Sequence, residues 1–169
     1  MTTGLPAAYR PLKLRARDEE DLRVLSAHLQ DAIVPIVDVA FTAAERRFVM
    51  VVNRFKWEAG AQPADQSLGS DEADEEAESR PVYLRTNCGI RVEGVSAVRS
   101  KGIDFRDRSL ILDLLALRYG DGILHMDFAG GAAIAVTVDR IDIRMEDVGE
   151  AWPTTKRPEH RFEEGDATA

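Results

Sequence analysis

Alternating apolar and polar positions run through much of the C-terminal third of the chain. In the stretch ILHMDF, Leu124, Met126 and Phe128 fall on one face, and His125 and Asp127 fall on the other. The stretch AAIAVTV, which follows after a short interruption, has the same period of two. Because successive side chains of a strand point to opposite faces, this period indicates strands with one buried face. The pattern predicts an antiparallel meander.

Two pairs of turn-forming residues separate these strand-like runs. Asp121–Gly122 precedes ILHMDF, and Gly130–Gly131 follows it. Both pairs are favoured in hairpins, whose tight turns need positive φ angles. The alternative is a glycine-rich loop that binds phosphate, but such a loop opens a helix, whereas the residues after Gly131 alternate with a period of two. The apolar positions become odd-numbered beyond Asp139–Arg140, and this change of phase predicts a bulge or a corner there.

Residues 18–33 have the periodicity of an amphipathic helix. Asp18 is placed as an N-cap, with Asp21 three residues later in the position of a capping box. We expect Pro35 to end the helix, because proline lacks the backbone donor that a helix needs. The apolar residues recur at intervals of three and four and predict one buried stripe, formed by Leu22, Leu25, Leu29 and Ala32.

A long apolar run, RRFVMVVNRFKWE, ends in an alternation of charged and aromatic residues. Its first part is apolar at consecutive positions, which is typical of a strand that is buried on both faces. We therefore expect a central strand with cover on each side. Towards the end of the run, Phe55 and Trp57 face one way, while Arg54 and Lys56 face the other.

Most of the net charge of −8 resides in one segment. Residues 59–80 contain seven acidic residues against Arg80 alone, a net charge of −6, which leaves −2 for the rest of the chain. The segment has almost no aliphatic content, so it cannot bury enough surface to offset its ordering entropy, and we predict a disordered insertion. The nearly neutral remainder argues against general nucleic-acid binding, which needs a concentrated basic face. One hypothesis makes the acidic segment a lid over a basic surface.

The length of the chain, 169 residues, suits one ordinary domain. We expect an N-terminal extension at residues 1–11, a single domain at 12–150 and a flexible C-terminal tail at 151–169. Cys88 is the only cysteine, so an intrachain disulfide is excluded. The N-terminus lacks the apolar stretch of a signal peptide, and no run reaches the roughly 18 apolar residues of a membrane helix. The protein is therefore expected to be cytoplasmic, without a membrane partner.

The residues that usually carry catalysis do not form a recognisable set. His125 and Asp127 share one strand face, as two metal ligands can, but no third His or Cys is placed to complete a site, and ordinary solvated side chains are the alternative. Cys88 has no evident activating partner. The stretch GVSAV lacks the second glycine of a nucleophile elbow. We therefore predict no catalytic, cofactor-binding or metal-binding residues, and the sequence favours a protein that is not an enzyme.

Basic residues on predicted strands are the stronger candidates for binding. Arg54 and Lys56 share one strand face, and Arg99 and Lys101 share another. Cross-strand ion pairs on an ordinary polar face are the alternative, and the tryptophan next to Lys56 is either a binding anchor or a core residue. Three more arginines on predicted strands would extend a positive surface if the strands were neighbours: Arg85, Arg91 and Arg118. The candidate binding face consists of Arg54, Lys56, Trp57, Arg99, Lys101 and Asp104.

Several stretches of the chain together resemble a family of uncharacterised bacterial proteins, DUF2948, which is associated mainly with alphaproteobacteria. The most specific segments are HLQDA, NRFKWE, SKGID and FAGG. The resemblance spans approximately residues 12–153 and is interrupted by the acidic insertion, which departs from the more compact form of the family. It implies a bacterial cytosolic origin and supplies no catalytic residues.

These observations predict one α+β domain. We expect an antiparallel sheet of about seven to nine strands, strongly curved or barrel-like, with one long helix at residues 18–33 against a face or an end. The expected function is that of a non-enzymatic binding or adaptor module acting on another protein. The alternative is a protein that binds a small anionic metabolite, or a weakly recognisable enzyme, on the open side of the sheet, where Arg99, Lys101 and Asp104 would fix the ligand. No cofactor and no nucleic-acid partner are expected, and the oligomeric state is left open.

Overall fold

The computed structural model describes residues 10–60 and 82–158. Most of the predicted acidic insertion, residues 61–80, lies outside the described residues. The same is true of residues 1–9 in the predicted N-terminal extension and of residues 159–169 in the predicted tail.

Ten strands and one α-helix make up the regular structure of the described residues, apart from short 3-10 turns. The helix is α1 (Glu19–Leu29). The strands, in chain order, are β1 (Lys13–Ala16), β2 (Ala32–Pro35), β3 (Val39–Thr42), β4 (Arg47–Phe55), β5 (Tyr83–Glu93), β6 (Val95–Lys101), β7 (Ile111–Gly120), β8 (Ile123–Phe128), β9 (Ala133–Val138) and β10 (Ile143–Thr154).

All ten strands belong to one antiparallel sheet. Their order is β1-β10-β5-β4-β2-β7-β8-β9-β6, and β3 also pairs with β4. The α+β class with an antiparallel sheet and a single α-helix is confirmed for the described residues. The end strands β1 and β6 do not pair with each other, so the sheet is not closed and the barrel alternative is wrong. The predicted count of seven to nine strands was too low.

The missing strand is β2, which begins at Ala32 and so overlaps the end of the segment, residues 18–33, that the sequence assigns to the helix. The capping is as predicted, because Asp18 accepts a hydrogen bond of 2.7 Å from the backbone N–H of Asp21. However, α1 ends at Leu29 rather than at residue 33, and Asp31 turns the chain with a φ of 63°. Pro35 therefore does not stop a helix but ends β2. Among the described residues, no helix is long and apolar enough to cross a lipid bilayer.

The turns predicted in the C-terminal third are confirmed. Asp121 and Gly122 have φ angles of 53° and 76° and connect β7 to β8 as a hairpin. Gly130 and Gly131 have φ angles of 78° and 80°, and strand β9 follows them rather than a helix. The predicted change of phase also occurs, because buried positions are even-numbered in β9 and odd-numbered at the start of β10. The glycines therefore supply the positive φ angles that the turns require.

The core lies on one face of the sheet, and α1 packs on part of that face. Leu22, Leu25 and Leu29 of α1 are buried, and the helix contacts β1, β4 and β7. On β4 the burial alternates strictly at the start, so that Val51 is 41 % exposed. The prediction that this run is covered on both faces is wrong, because the part of the chain that the structure describes contains one α-helix for ten strands. The opposite face of β4, called the outer face below, remains accessible.

The last strand continues past the boundary predicted for the tail. β10 runs to Thr154, with an irregularity between Val148 and Trp152 after which it pairs with β5 again. Residues 151–154 are therefore part of the sheet. The predicted start of the tail at residue 151 came too early, because proline and threonine at 153–154 suggest a loop while their strand partners on β5 lie about 70 residues away in the sequence.

Adjacent leucines on β7 test which face of the sheet contains the core. Leu114 is fully buried, whereas Leu115 is 42 % exposed. We expect Leu114→Ala to lower the free energy of unfolding by about 2–5 kcal/mol, because it removes packed methyl groups and leaves a cavity. Leu115→Ala is the matched control and should change the free energy only slightly. Urea denaturation of both variants measures the difference, and equal losses would contradict this orientation of β7.

Candidate anion-binding groove

The predicted basic face at the end of β4 is not a surface. Arg54 is 0 % exposed and Lys56 is 1 % exposed. The alternation along β4 places Arg54 on the same face as the buried residues Met50 and Val52. Lys56 donates a hydrogen bond of 2.9 Å from its Nζ to the backbone carbonyl of Arg10. The expectation that Arg54 and Lys56 form an exposed contact is therefore wrong.

Arg54 instead forms an ion cluster with the buried Asp147 and the partly exposed Glu58, called the Arg54 cluster. Its Nε and Nη2 donate to the two carboxylate oxygens of Asp147, both at 2.7 Å. Its Nη1 and Nη2 also donate to Glu58, at 3.0 and 2.6 Å. Burial by itself raises the pKa of Glu58, but the hydrogen bonds and the charge of Arg54 outweigh it and hold that pKa below its ordinary value. Asp147 further accepts a bond of 2.8 Å from the backbone N–H of Leu12.

Trp57 connects the end of β4 to the end of α1. Its indole Nε1 donates a hydrogen bond of 3.0 Å to the backbone carbonyl of Gln30. Its ring lies 4.5 Å from the ring of Phe55, and the guanidinium of Arg157 lies 6.0 Å from the ring centroid. Nearby, the Nδ1 of His28 lies 3.5 Å from a carboxylate oxygen of Glu58. These contacts bring the HLQDA and NRFKWE segments together. Trp57 is partly buried and lies outside the hydrophobic core, so its role as a binding anchor or a packing residue stays open.

The other predicted residues lie on a distant part of the sheet. Arg99 and Lys101 are exposed on β6, which is separated from β4 by four strands in the sheet order. Asp104 is exposed in the following loop and accepts a bond of 3.0 Å from the backbone N–H of Arg106. The structure therefore does not bring the six predicted residues together, and a binding role for the β6 residues stays a prediction.

A different site lies on the outer face of β1, β10, β5 and β4. This outer-face groove is an open depression of about 570 Å³. Gly89 of β5 lies at its centre, directly across from Glu146 of β10 and Val51 of β4. A Cβ atom at Gly89 would come no closer than 3.8 Å to another heavy atom, the backbone oxygen of Glu146. The missing side chain therefore leaves space above the sheet.

Three arginines lie side by side along one end of the groove. Arg15 of β1 is directly opposite Arg144 of β10, which is directly opposite Arg91 of β5. We call these three residues the arginine row. Side chains in such positions have Cβ atoms about 4.5–5.5 Å apart, and like charges directly opposite each other are destabilising. The row therefore concentrates positive charge, and the repulsion between its members destabilises the sheet.

The two outer arginines of the row lie next to carboxylates, but only Arg15 has a carboxylate that no other arginine hydrogen-bonds. Arg15 donates from Nε and Nη2 to Asp142, at 3.1 and 3.3 Å. The Nε of Arg91 lies 2.9 Å from a carboxylate oxygen of Glu93, but that oxygen also accepts a hydrogen bond of 3.0 Å from the Nε of Arg47. The Nε of Arg91 itself makes no hydrogen bond among the described residues. Burial by itself raises the pKa of Asp142, but the hydrogen bonds of Arg15 and the nearby charge of Arg144 lower it overall.

Arg144, at the centre of the row, has no such partner. Its side chain makes no ion pair and no hydrogen bond with any residue in the ranges 10–60 and 82–158. It feels the field of Asp142, but the carboxylate of that residue is already engaged by Arg15. The outer-face groove thus offers one guanidinium that remains available to an external anion.

The rest of the groove is mixed in character. Lys13 and Glu146 form an exposed ion pair of 3.3 Å next to Gly89. Val51 and Val148 are 41 % and 45 % exposed, and Val49 lies directly opposite Arg91. The groove therefore has an arginine end and an apolar side, which suits a ligand that carries both a negative charge and an apolar group.

The sequence did not point to Arg15, Arg144 or Gly89 as site residues. Arg91 was noted as a strand arginine that could join a positive surface, and the structure places it in the row. The change of phase before β10 carries a usable signal, because burial of Ile143 and Met145 requires Arg144 to face outward. That signal does not reveal which strands are neighbours.

The described residues show no arrangement suited to metal binding or nucleophilic catalysis. In the ranges 10–60 and 82–158, no group of three His, Cys, Asp or Glu side chains is placed to hold a metal ion. Asp127, which shares a face with His125, accepts hydrogen bonds from Nε and Nη2 of Arg118. Cys88 is fully buried, and burial is the main cause that raises the pKa of its thiol to about 12. The carboxylate of Asp127 is therefore engaged by Arg118, and the thiol of Cys88 is inaccessible to solvent.

Removing Arg54 should be far more costly than removing an exposed arginine. Arg54→Met leaves the carboxylate of Asp147 buried without its counter-charge, and we expect a loss of about 3–5 kcal/mol in the free energy of unfolding. Arg118→Met is the matched control, because it also breaks a two-point pair with an aspartate but on an exposed strand face. Guanidinium chloride denaturation measures both, and similar losses would mean that the Arg54 cluster is not buried in solution.

The thiol of Cys88 should react slowly in the native protein. Its raised pKa leaves little thiolate at pH 8, and the side chain is inaccessible. We expect iodoacetamide to modify the native chain at a small fraction of the rate seen for the same chain in urea. Mass spectrometry over time follows the reaction. Equal rates in both conditions would contradict the burial of β5 that places Gly89 on the outer face.

Comparison with known proteins identifies a family for this chain. Residues 12–160 match the model of a family described as a protein of unknown function, DUF2948. No curated protein and no solved structure matches the chain. The match spans the sheet, α1, the Arg54 cluster and the outer-face groove, and it confirms the resemblance seen in the sequence. The chain belongs to the DUF2948 family.

Proposed function

We propose that the protein is a non-enzymatic binding module that holds an anionic segment of a partner protein in the outer-face groove. One observation supports this proposal above the others. Arg144 lies in the middle of three cross-strand arginines and is the member of the row that has no carboxylate of its own among the described residues. A ligand carboxylate at Arg144 would neutralise the repulsion within the row.

The energetics favour an external anion at this position. Like charges directly opposite in a sheet cost a few tenths to about 1 kcal/mol per pair, and the row contains two such pairs. Asp142 offsets this repulsion at Arg15, and Glu93 offsets it at Arg91 only in part, because Glu93 is shared with Arg47. Arginine also suits the role chemically, because its planar guanidinium binds a carboxylate through two parallel hydrogen bonds.

The shape of the groove favours a segment of a protein over a metabolite. Sites for small molecules usually enclose most of the ligand surface, at about 70–90 %. The outer-face groove is instead open across four strands, and its apolar members Val51 and Val148 are about half exposed. Such a surface suits an extended chain. The predicted alternative, a small anionic metabolite, could use the same arginine row and is therefore included in the test.

The cytosol remains the expected compartment under this proposal. A single buried thiol, Cys88, needs no oxidising environment, and the sequence-based expectation of a cytoplasmic protein is unchanged. The enzyme alternative has no specific support, because the described residues offer no nucleophile with an adjacent base near the groove.

A charge reversal at Arg144 tests the proposed contact. Arg144→Glu should reduce chemically cross-linked partner, recovered from cells that express the tagged chain, by at least about 10-fold, since it places a second negative charge beside Glu146. Arg108→Glu, on an exposed loop, is the neutral control. Arg99→Glu tests the alternative contact on β6. Quantitative mass spectrometry of the recovered partner measures all four proteins.

Two outcomes would contradict the proposed function. Recovery with Arg144→Glu at the wild-type level would remove the groove as the contact, and a loss with Arg99→Glu alone would move the contact to β6. A thermal-shift panel of anionic metabolites covers the other class of ligand, because a metabolite at 100 times its Kd stabilises the folded state by about 2.7 kcal/mol. An Arg144-dependent shift with a metabolite, without any recovered partner, would establish the small-molecule alternative instead.

A further inference from the structure

We propose that the free edge of β6 is a second interaction surface, which pairs with an extended acidic segment of a partner protein as an added strand. The surface is separate from the outer-face groove, and this inference does not rest on the proposed function. It follows from the backbone groups that β6 leaves unpaired, from two uncommitted cations beside them, and from the face on which each side chain of β6 lies.

β6 is the longer of the two end strands of the sheet. It has seven residues and pairs with β9 alone, whereas β1, at the other end, has four residues. An end strand presents unpaired N–H and C=O groups, which form a template for another extended chain. The pairing with β9 is irregular between Val95 and Ala97 and regular from Ala97 to Lys101. β6 contains no proline and directs no charged side chain into the core, so its regular part is open to a further strand.

The hydrogen-bond pattern of β9 shows which backbone groups of β6 face the open edge. The N–H of Val138 donates to the carbonyl of Gly122, so Val138 points towards β8. Because this direction alternates along a strand, the odd-numbered residues of β9 point towards β6, and their partners there are also odd-numbered. Val98 and Ser100 therefore direct their N–H and C=O groups to the open edge. In the described part of the chain, no other strand or loop bonds to these groups.

Two exposed cations lie beside these free backbone groups. Arg99 and Lys101 are two positions apart on the outer face of β6, and they make no ion pair and no hydrogen bond with the described residues. The residues directly opposite them on β9 are alanines. One strand further, the carboxylate of Asp127 is engaged by Arg118. Both cations are therefore available to an added strand.

The geometry of strand pairing brings the side chains of an added strand close to these cations. Val98 and Ser100 would exchange hydrogen bonds with the added strand, so the positions of Arg99 and Lys101 become non-hydrogen-bonded pairs. In such pairs the Cα atoms are about 4.5 Å apart, compared with about 5.5 Å in hydrogen-bonded pairs, and the side chains are closer. Carboxylates at alternate positions of the added strand therefore meet both cations directly, and opposite charges at such positions stabilise the pairing.

The inner face of β6 favours an apolar residue in the added strand. Val98 is partly buried and packs against the core, on the face opposite Arg99. The residue of an added strand directly opposite Val98 lies on that same face, where an apolar side chain extends the core. The preferred segment therefore has carboxylates at alternate positions on one face and an apolar residue on the other.

Charge distinguishes the occupants that can reach this edge. Charged side chains on an edge strand prevent unwanted pairing, and Arg99 and Lys101 disfavour a neutral or basic strand that leaves them without partners. A second copy of β6 is disfavoured for the same reason, because its sequence, VSAVRSK, contains no acidic residue. A polyanion without a polypeptide backbone would leave the edge groups of Val98 and Ser100 unpaired. An acidic strand matches both the cations and the backbone groups.

Four peptides separate these possibilities in an NMR titration of the full chain. The test peptide, acetyl-Thr-Val-Glu-Thr-Glu-Val-Thr-amide, is palindromic and so presents the preferred pattern in both chain directions. Glutamine in place of both glutamates removes the charge. Acetyl-Thr-Val-Glu-Glu-Thr-Val-Thr-amide keeps the composition but directs the two carboxylates to opposite faces. N-methylation of the central threonine keeps both charges but removes the N–H that would donate to the carbonyl of Ser100.

We expect the test peptide to shift the amide signals of Val98 and Ser100 and to slow their exchange with water, because both N–H groups become hydrogen-bonded. It should bind at least about 3-fold more tightly than the glutamine peptide and the peptide with adjacent glutamates, the factor expected for the loss of cross-strand charge pairs. The N-methylated peptide should give no protection at either amide.

Variants of the chain separate the contribution of charge from that of the backbone. Lys101→Gln should weaken binding of the test peptide about 3-fold and leave binding of the glutamine peptide unchanged. Ser100→Pro should abolish binding, because it removes a free N–H at the open edge, where a sheet tolerates proline. Arg108→Gln, on an exposed loop, is the matched control for charge and should bind like the wild type. Arg144→Gln shows whether the peptide binds in the outer-face groove instead.

Four results would overturn the inference. The first is equal binding of the glutamine peptide or of the N-methylated peptide, and the second is a lack of protection at Val98 and Ser100 with the test peptide. The third is a set of shifts at Gly89 that Arg144→Gln abolishes while β6 is unaffected, which would assign the peptide to the groove. The fourth is self-association of the chain that Ser100→Pro abolishes, which would make a second copy the occupant. The proposed function is tested separately, by the recovery of cross-linked partner through Arg144.

Discussion

The buried ion pair between Arg54 and Asp147 determines which side chains of β4 and β10 face the core. The two residues are 0 % and 6 % exposed and are joined by two hydrogen bonds of 2.7 Å. Side chains alternate along a strand, so a buried Asp147 places Arg144 on the outer face as long as the alternation of β10 is unbroken between them. The buried residues Ile143 and Met145 show that it is unbroken. A slip of β10 by one residue would bury Arg144 and Glu146, expose Asp147 and leave Arg54 buried without its partner. The best-attested role of such buried polar pairs is to specify register rather than to add stability.

This register determines which side chains line the outer-face groove. With Arg54 and Asp147 directed inward, the outward positions of β10 are Arg144, Glu146 and Val148. Those of β5 include Gly89 and Arg91, so that cationic, apolar and empty positions meet across neighbouring strands. The one α-helix of the described residues packs on the inner face, so it does not cover this combination. The exposure of the groove residues and the burial of Arg54 and Asp147 are therefore two consequences of one alternation of side chains.

The sequence predicts the local features of this protein better than its long-range ones. The hairpins at Asp121–Gly122 and Gly130–Gly131 follow from backbone chemistry that neighbouring residues determine. The end of α1 was misplaced because Ala32 continues the apolar spacing of the helix, whereas β2 forms through pairing with β4 and β7, which are distant in the sequence. Local periodicity cannot record that pairing.

The site was missed for related reasons. In the run RRFVMVVNRFKWE, apolar residues occupy both odd and even positions, so its periodicity does not reveal that Arg54 faces inward. The arginine row is formed by three neighbouring strands. Two of its members, Arg15 and Arg144, are more than 120 residues apart in the sequence. Arg91 could be named as a strand arginine, but its neighbours depend on the sheet order. A basic residue on a strand is therefore informative about binding only after its cross-strand partners are known.

The most direct test of this account is the exchange of the arginine side-chain Nε–Hε protons with water, measured by NMR on the unliganded chain. Arg54 donates its Nε–H to Asp147 in a fully buried position, whereas Arg144 lies unpaired on the outer face of the described sheet. We expect a slowly exchanging Nε–Hε signal for Arg54 and a rapidly exchanging one for Arg144. Fast exchange at Arg54, or strong protection at Arg144 in the absence of ligand, would contradict it.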